Sequence, residues 1–257
     1  MLPRDELLKQ VENRESLTRV IDRAEQAIRT WEVTLSDFLS PPELIEAETV
    51  FKRLTDIHLS AWGGYPQAER QRLAIARAEL PLDQAPVALL NIAGNFLFDP
   101  ATHRDFLGAM LGAGIVRDKV GDIIVLGERG AQALVVPEMV DFLAMSLTQV
   151  RSVPVKTQQI DLAQLKVREP KKKEMTTVEA SLRLDAIASA GFGMSRSKMA
   201  DMIGAGDVRV NWKSVTQSSH ALKTGDLVAI RGKGRLQIGD VSVTKKQRYR
   251  VDLTRFV

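Results

Sequence analysis

Glycine punctuates the last third of the chain and limits what that third can become. Gly191, Gly193, Gly204 and Gly206 bracket two short apolar-periodic stretches, and Gly225 stands before the apolar run Leu227-Val-Ala-Ile230. Glycine adopts the left-handed backbone that closes helices without a Cβ penalty. In the first stretch Leu184, Ile187 and Ala188 fall at i, i+3, i+4 spacing, and Gly191-Phe-Gly193 is expected to end it. Thr176-Thr-Val-Glu179 has the spacing of a capping box and predicts the start of that helix. Ser195 predicts the N-cap of a second helix, with Met194 and Met199 as a hydrophobic staple and Met199, Met202 and Ile203 as the buried face. Val208 and Val210 then alternate with Arg209 and Asn211, the period of a strand. The expected unit is a helix–turn–helix followed by a hairpin.

Upstream the pattern is different. Residues 3–30 carry Leu7, Leu8, Val11, Leu17, Val20, Ile21, Ala24 and Ile28 near helical spacing, which predicts one long amphipathic helix. Pro41-Pro42 opens a second helix over about 42–55, and Pro66, after the turn Gly63-Gly-Tyr-Pro66, predicts a third helix to about Leu80. From 87 onward, strand-like runs at 87–92, 123–126, 133–136 and 150–158 alternate with helical patterns at 103–111 and 137–147. That order is β-α-β-β-α-β, a ferredoxin-like or RNA-recognition-motif-like arrangement. RNA-recognition motifs stack bases on sheet aromatics, yet the third strand, Ala133-Leu-Val-Val136, has none. A structural or protein-contacting sheet is the simpler expectation. Residues 166–175 are polar, basic and broken by Pro170, as a linker would be. The expected organisation is α+β, with an N-terminal helical region at 1–82, a ferredoxin/RRM-like domain at 83–160, a linker at 161–175 and a basic domain at 176–257.

Charge follows the same division. Residues 151–257 hold 21 Lys and Arg against 10 Asp and Glu, whereas the first 150 hold 15 against 22. A basic segment of this kind is suited to a polyanion. The chain has no Cys, which excludes disulfides, thiolate zinc sites and cysteine nucleophiles. The N-terminus has no apolar leader pattern and no apolar run nears the roughly 18 residues of a membrane span. A soluble, cytoplasmic protein without membrane insertion is expected.

The start of the second C-terminal helix carries the candidate chemistry. Ser195-Arg-Ser-Lys198 places two cations and two hydroxyls beside free backbone N–H groups, where a helix already favours a phosphate. Cations ordinarily disfavour that end of a helix, so their presence points to an anion. Arg183, Arg209 and Lys213 can extend the surface. The loop Arg231-Gly-Lys-Gly-Arg235, with Lys233 and Arg235, can follow a phosphate backbone or simply be a solvated hairpin. Lys245-Lys-Gln-Arg-Tyr-Arg250 alternates into Val251 and Leu253 and predicts a last strand with a basic outer face.

Leu182-Arg-Leu-Asp185, Ser195-Arg-Ser-Lys198, Gly206-Asp-Val-Arg-Val-Asn211 and Gly225-Asp226 together resemble the alpha-L RNA-binding domain of the ribosomal protein S-four type. The resemblance implies an RNA-facing surface of Arg183, Ser195, Arg196, Lys198, Asn211 and Lys213, with Asp185 orienting its basic neighbours; Leu184, Ser197, Arg209 and Trp212 stand beside them as further candidate RNA-binding residues. The family usually has Asn-Gly-Lys in the hairpin. Trp212 replaces that glycine here, so either the turn is looser or the ring is presented to a base. Gly63-Gly-Tyr-Pro66 with Glu69-Arg70, His103-Arg-Asp-Phe-Leu-Gly-Ala109 and Gly114-Ile-Val-Arg-Asp-Lys-Val-Gly-Asp122 resemble the YlmH-like family. Its cyanobacterial and plastid branch is known as the photosystem II S-four-domain protein. This resemblance implies a photosynthetic organism and a non-enzymatic, ribosome-associated partner of ribosomal or transfer RNA, with no catalytic residue, cofactor or metal.

Other signals compete. Arg183-Leu-Asp185 resembles the catalytic triplet of pseudouridine synthases, but Leu182 precedes it where those enzymes have glycine. His58, His103 and His220 are widely spaced and lack metal-ligand spacing. Asp105 and Asp122 can be read as a carboxylate pair, or as separate helix and turn positions. The function classes left open are binding of structured RNA without chemistry, RNA modification by an active site in the middle domain, and a scaffold whose acidic N-terminal region holds a protein partner.

Overall fold

The computed structural model describes residues 2–9, 11–167, 172–230 and 232–256. It divides into two compact units, Met1–Val167 and Arg168–Val257. Among the described residues no helix is long and apolar enough to cross a membrane.

The first unit begins with α1 (Arg4–Leu7) and α2 (Arg14–Thr30), then β1 (Thr34–Leu35), α3 (Pro41–Phe51), β2 (Ile57–Trp62) and β3 (Arg72–Arg77). The single helix expected over 3–30 is broken before Arg14. The Glu46 carboxylate on α3 accepts from the Glu12 and Asn13 backbones at 3.0 Å each and from Asn13 Nδ2 at 3.1 Å, so the break is tied down. α3 opens as its prolines predict, and Ser40 and Glu43 form a capping box at its start. The third helix expected to Leu80 is instead β3, the centre of an antiparallel sheet of order β1-β3-β2. Arg72-Leu-Ala-Ile-Ala-Arg77 favours a helix locally, but this strand is covered on both faces. Leu73 and Ile75 are fully buried with α2, while Arg72, 3% exposed, donates to the carbonyls of Ser36 and Pro86. A strand buried on both sides loses the alternation by which it would be recognised.

The middle of the unit runs β4 (Ala88–Ala93), α4 (His103–Gly112), β5 (Val120–Val125), β6 (Gly130–Val135), α5 (Val140–Ser146), the small hairpin β7 (Gln149–Val150) and β8 (Val153–Pro154), and β9 (Lys156–Ile160). The antiparallel sheet has order β5-β6-β4-β9. This is the ferredoxin-like arrangement the sequence predicts. One sheet face packs Leu90, Ile92, Ala133 and Val135 against Phe106, Met110 and Leu143 of the helices. The other face, where an RNA-recognition motif would display aromatics, is also covered. Leu89 and Leu134 are 0% exposed beneath Phe38 and Val136, with Tyr65, Leu162 and Leu165 packed beside them. Gln132 donates to the Gln164 carbonyl at 3.0 Å and accepts from the Lys166 N–H at 2.7 Å. The start of the expected linker is therefore part of the domain, because it supplies the lid of this sheet face. Residues 168–171 of that linker lie outside the described residues.

The motifs that single out the first unit converge on one polar joint. Asp122 accepts from the Tyr65 hydroxyl at 2.8 Å and from the backbone N–H groups of Glu69 and Arg70 at 2.7 and 3.1 Å. Arg70 in turn donates to the carbonyls of Val120 and Phe38. Burial, and then the neighbouring Arg70 charge, bring the Arg117 guanidinium down to about 10. Asp105 sits elsewhere, capping α4 through the Thr102 N–H and hydroxyl. The two aspartates are not a pair.

In the second unit β10 (Lys172–Glu179), α6 (Leu184–Phe192), α7 (Arg196–Gly204), β11 (Val208–Val210), β12 (Lys213–Ser214), β13 (Leu227–Ile230), β14 (Gly234–Val243) and β15 (Tyr249–Phe256) follow in order. The six-stranded sheet has order β10-β15-β14-β13-β11-β12. The helix start expected at Thr176 is a strand, since β10 pairs with β15 along its whole length and Thr176, Thr177 and Val178 suit a pleated surface. Gly191 does not end α6 but lies inside it. A Cβ there would stand 2.3 Å from Leu236, so glycine lets the helix settle onto β14. Gly193, at φ 67°, is the C-cap.

Replacing Asp122 with Ala should lower the stability of the first unit by about 2 kcal/mol, because three donors lose a charged acceptor. Chemical denaturation should show that transition shifting while the second unit's midpoint stays in place.

Candidate RNA-binding surface

The C-terminal surface is built around one buried carboxylate. Asp185, in the first turn of α6, has a side chain 8% exposed. Arg183 donates Nε to Oδ1 at 3.0 Å and an Nη to Oδ2 at 3.1 Å. Arg196, from the first turn of α7, donates Nε to Oδ2 at 3.0 Å and an Nη to Oδ1 at 3.3 Å. The Ala186 N–H adds a bond to Oδ1. Burial alone would raise the Asp185 carboxyl, but the hydrogen bonds from Arg183 and Arg196 outweigh it and hold it below the ordinary carboxylate range. The same contact raises the Arg183 guanidinium. Two forked cations are thereby held side by side, with 41% and 54% of their side chains still exposed. Fixed guanidinium groups of this kind match phosphate geometry.

The α7 N-terminus completes the cluster. The Ser195 hydroxyl caps the helix by accepting from the Lys198 N–H at 3.3 Å. Ser195, Arg196, Ser197 and Lys198 are all exposed, and the staple partners Met194 and Met199 pack into the core below. Unpaired helix N–H groups, two hydroxyls and three cations thus face solvent together, an arrangement that can hold anionic oxygens.

The remaining expected residues divide. Leu184 is 0% exposed in the hydrophobic core, so its place on the surface is corrected: helix periodicity turns it inward beside Ile187. Asp185 is a positioning group, spent on its two arginines. Asn211 is likewise occupied. Its Nδ2 donates to Asp226 at 2.9 Å and its Oδ1 accepts from the Leu227 N–H at 2.9 Å. Asp226, 4% exposed, also accepts from the Lys223 N–H at 2.9 Å. The asparagine and the Gly225-Asp226 pair therefore form one clamp that holds the hairpin to the next turn.

Strand register separates the cations further. Val208 and Val210 face the helices, so Arg209 faces away from them. Ser214, Arg209, Ala229, Arg235, Phe256 and Lys172 stand side by side across the six strands on this outer face. Lys213, paired with Val210, lies on the helix side. Lys233 is exposed in the β13–β14 connection, while Arg231 of the same loop lies outside the described residues. Lys172 belongs to the outer row although its sequence context reads as linker. The β-branched run beginning at Thr176 was the signal for a strand there.

Trp212 is not in a loosened turn. Val210 pairs with Lys213 across two residues, Asn211 at φ 49° and Trp212 at φ 68°. Two positive φ angles define the tight type I′ hairpin. The tryptophan thus occupies a backbone position made for glycine, and its half-buried ring lies outside the hydrophobic cluster of the unit.

Three family models match the chain: "YlmH, N-terminal" over residues 12–80, "Putative RNA-binding domain in YlmH" over 83–164, and "S4 domain" over 182–228. The chain is 33% identical over 228 residues to the Ribosome-associated protein quality control protein P2 of Bacillus subtilis (strain 168), covering 88% of each protein. The structure of the cell division protein ylmH from Streptococcus pneumoniae matches with a TM-score of 0.52 at 19% identity. That match covers 60% of this chain and 94% of the other, and it speaks to fold alone.

Two outcomes test this geometry. Trp212→Gly should be more stable than Trp212→Ala by about 1 kcal/mol, since both lose the ring but only alanine keeps the left-handed penalty. Thermal melting of the pair measures the difference. Asp185 has a folded-state pKa below its unfolded value near 3.9, so its stabilising effect is present above about pH 4 and is lost as pH falls through the lowered value. Asp185→Asn should therefore be less stable at neutral pH and lose less stability on acidification, measured by denaturation at each pH.

Proposed function

This chain belongs to the YlmH family, and from that membership and the Asp185 cluster we propose that it is an RNA-binding, ribosome-associated protein that recognises structured ribosomal or transfer RNA without chemistry. The observation that carries the reading is the pair of guanidinium groups fixed on Asp185 beside the exposed α7 N-terminus. In this reading Arg183, Arg196 and Lys198 meet phosphates, Ser195 and Ser197 donate to phosphate or sugar oxygens, and Lys213 extends the contact along the hairpin. Trp212 offers its ring to a base. Arg209, Arg235 and Lys233 serve a second stretch of the same RNA reaching the outer sheet face. Phosphate contacts fix position and register, while sequence is read elsewhere.

The B. subtilis relative is named for association with the ribosome in protein quality control, and this supports the ribosome as the partner here. The engagement of both Asp185 oxygens supports binding over catalysis at the Arg-Leu-Asp triplet. A narrower placement in the cyanobacterial and plastid branch rests on the first-unit motifs. A cytoplasmic location accords with a ribosomal partner.

Binding to ribosomal RNA and to transfer RNA across a salt series tests the proposal. Arg196→Ala combined with Lys198→Ala should weaken binding and flatten the logarithmic salt slope by about 0.7 for each phosphate that is no longer neutralised, the value for single strands. An unchanged slope would remove this surface from the RNA interface.

A further inference from the structure

The outermost strands of an open sheet carry N–H and C=O groups without a neighbour, and natural chains blunt such edges with charge, proline, bulges or short length. Most edges of this chain follow that practice. β1, β7, β8 and β12 have two residues each, and β5 is interrupted by a bulge between Val120 and Ile123. β9 carries Lys156, and β10 carries Lys172, Lys173, Glu174 and Glu179. β2, an outer strand of the β1-β3-β2 sheet, is different. Ile57-His-Leu-Ser-Ala-Trp62 has no Lys, Arg, Asp, Glu or Pro, and it pairs with β3 along its whole length without a bulge.

Strand register fixes which groups that edge leaves open. On β3 the Leu73 carbonyl accepts from the Ser36 N–H at 2.9 Å, and Gln71 and Leu39 exchange backbone bonds just before it, so the odd-numbered residues turn towards β1. Arg72, Ala74 and Ala76 therefore turn towards β2, opposite Trp62, Ser60 and His58. The N–H and C=O groups of Leu59 and Ala61 point the other way, and no hydrogen bond reaches them among the described residues. Beside this edge, between α3 and β2, lies an open groove of about 500 Å³ lined by Phe51, Lys52, Leu54, Ile57 and Leu59. It leaves room for the side chains of an added strand. Alternating neutral donors and acceptors, on a strand with no cation for a phosphate, are satisfied by another polypeptide backbone.

We propose that the β2 edge is the docking surface for a second copy of this chain, the two β2 strands lying antiparallel about a two-fold axis at Ser60. The strand is complementary to itself in that register. Leu59 meets Ala61 of the partner subunit, a hydrogen-bonded pair of one large and one small side chain. Ser60 meets Ser60 of the partner subunit at a non-hydrogen-bonded position, where strands come closest and small side chains fit. No charge on the strand meets its like. His58, whose Nε2 is buried without a partner among the described residues, meets Trp62 of the partner subunit, an N–H donor. An isologous contact of this kind closes as a dimer and joins the two sheets into one.

Light scattering of the nuclease-treated full-length chain over a concentration series should show twice the mass of one chain, and Ala61→Pro the mass of one. That proline removes an N–H that β3 does not use, so at monomeric dilution its circular dichroism and melting temperature should match those of the unaltered chain. The chain has no cysteine, so Ser60→Cys introduces a lone thiol. Non-hydrogen-bonded antiparallel partners lie about 4.5 Å apart from Cα to Cα, within disulfide reach. Mild oxidation should therefore link Ser60→Cys into a covalent dimer, while Ser146→Cys, exposed on α5, stays single. If Ala61→Pro fails to fold, the cross-link decides by itself. A mass of one chain at every concentration overturns the proposal. So does a dimer whose Ser60→Cys form does not cross-link, since its contact would lie elsewhere.

Discussion

The second unit depends on where one negative charge is buried. Asp185 is nearly inaccessible, and an isolated carboxylate there would be costly. Two guanidinium groups and a backbone N–H satisfy it. The reverse dependence matters as much. Without the carboxylate, Arg183 and Arg196 would repel each other and spread into solvent, and their long side chains would have to be ordered again on each binding event. The salt bridge therefore matters less as a source of stability, given its half-exposed arginines, than as a device that aligns two helix starts. It explains how the N-termini of α6 and α7 come to present cations, which disfavour that end of a helix when no anion is present.

A second polar clamp fixes the hairpin. Asn211 and Asp226 are distant in sequence, yet their mutual hydrogen bond and the Leu227 N–H hold Trp212 in a left-handed conformation. A non-glycine residue at such an angle is strained by about 1–3 kcal/mol and persists only where its surroundings over-determine it. Here the over-determination is visible. The asparagine, which sequence resemblance puts on the RNA side, is spent on making the turn, and the residue after it is half-buried at a left-handed position.

The first unit applies the same logic to a whole sheet. A ferredoxin-like sheet has one face for its helices and one to spare. In this chain the spare face is closed by Phe38, Tyr65 and the segment beginning at Leu162, and Asp122 ties Tyr65 and the Arg70 backbone into a polar joint beside it.

What the sequence determined alone was the local structure whose signals are local. The apolar spacing of α6 and its end at Gly193, the Ser195 start of α7, the alternation in β11, the apolar run of β13 and the β-α-β-β-α-β order all stand in the fold as their residues imply. Each rests on contacts within a few positions, so a periodicity or a cap suffices. Tertiary structure decided the rest. Arg72-Leu-Ala-Ile-Ala-Arg77 became a central strand because its neighbours buried both faces, and Thr176-Thr-Val-Glu179 became a strand because β15 offered it a full-length partner. Strand pairing likewise sent Arg209 and Arg235 to the opposite face from Arg196. A row of cations in sequence does not state which side of a sheet it will occupy. That depends on register between strands far apart in the chain, where a shift of one residue reverses every side chain.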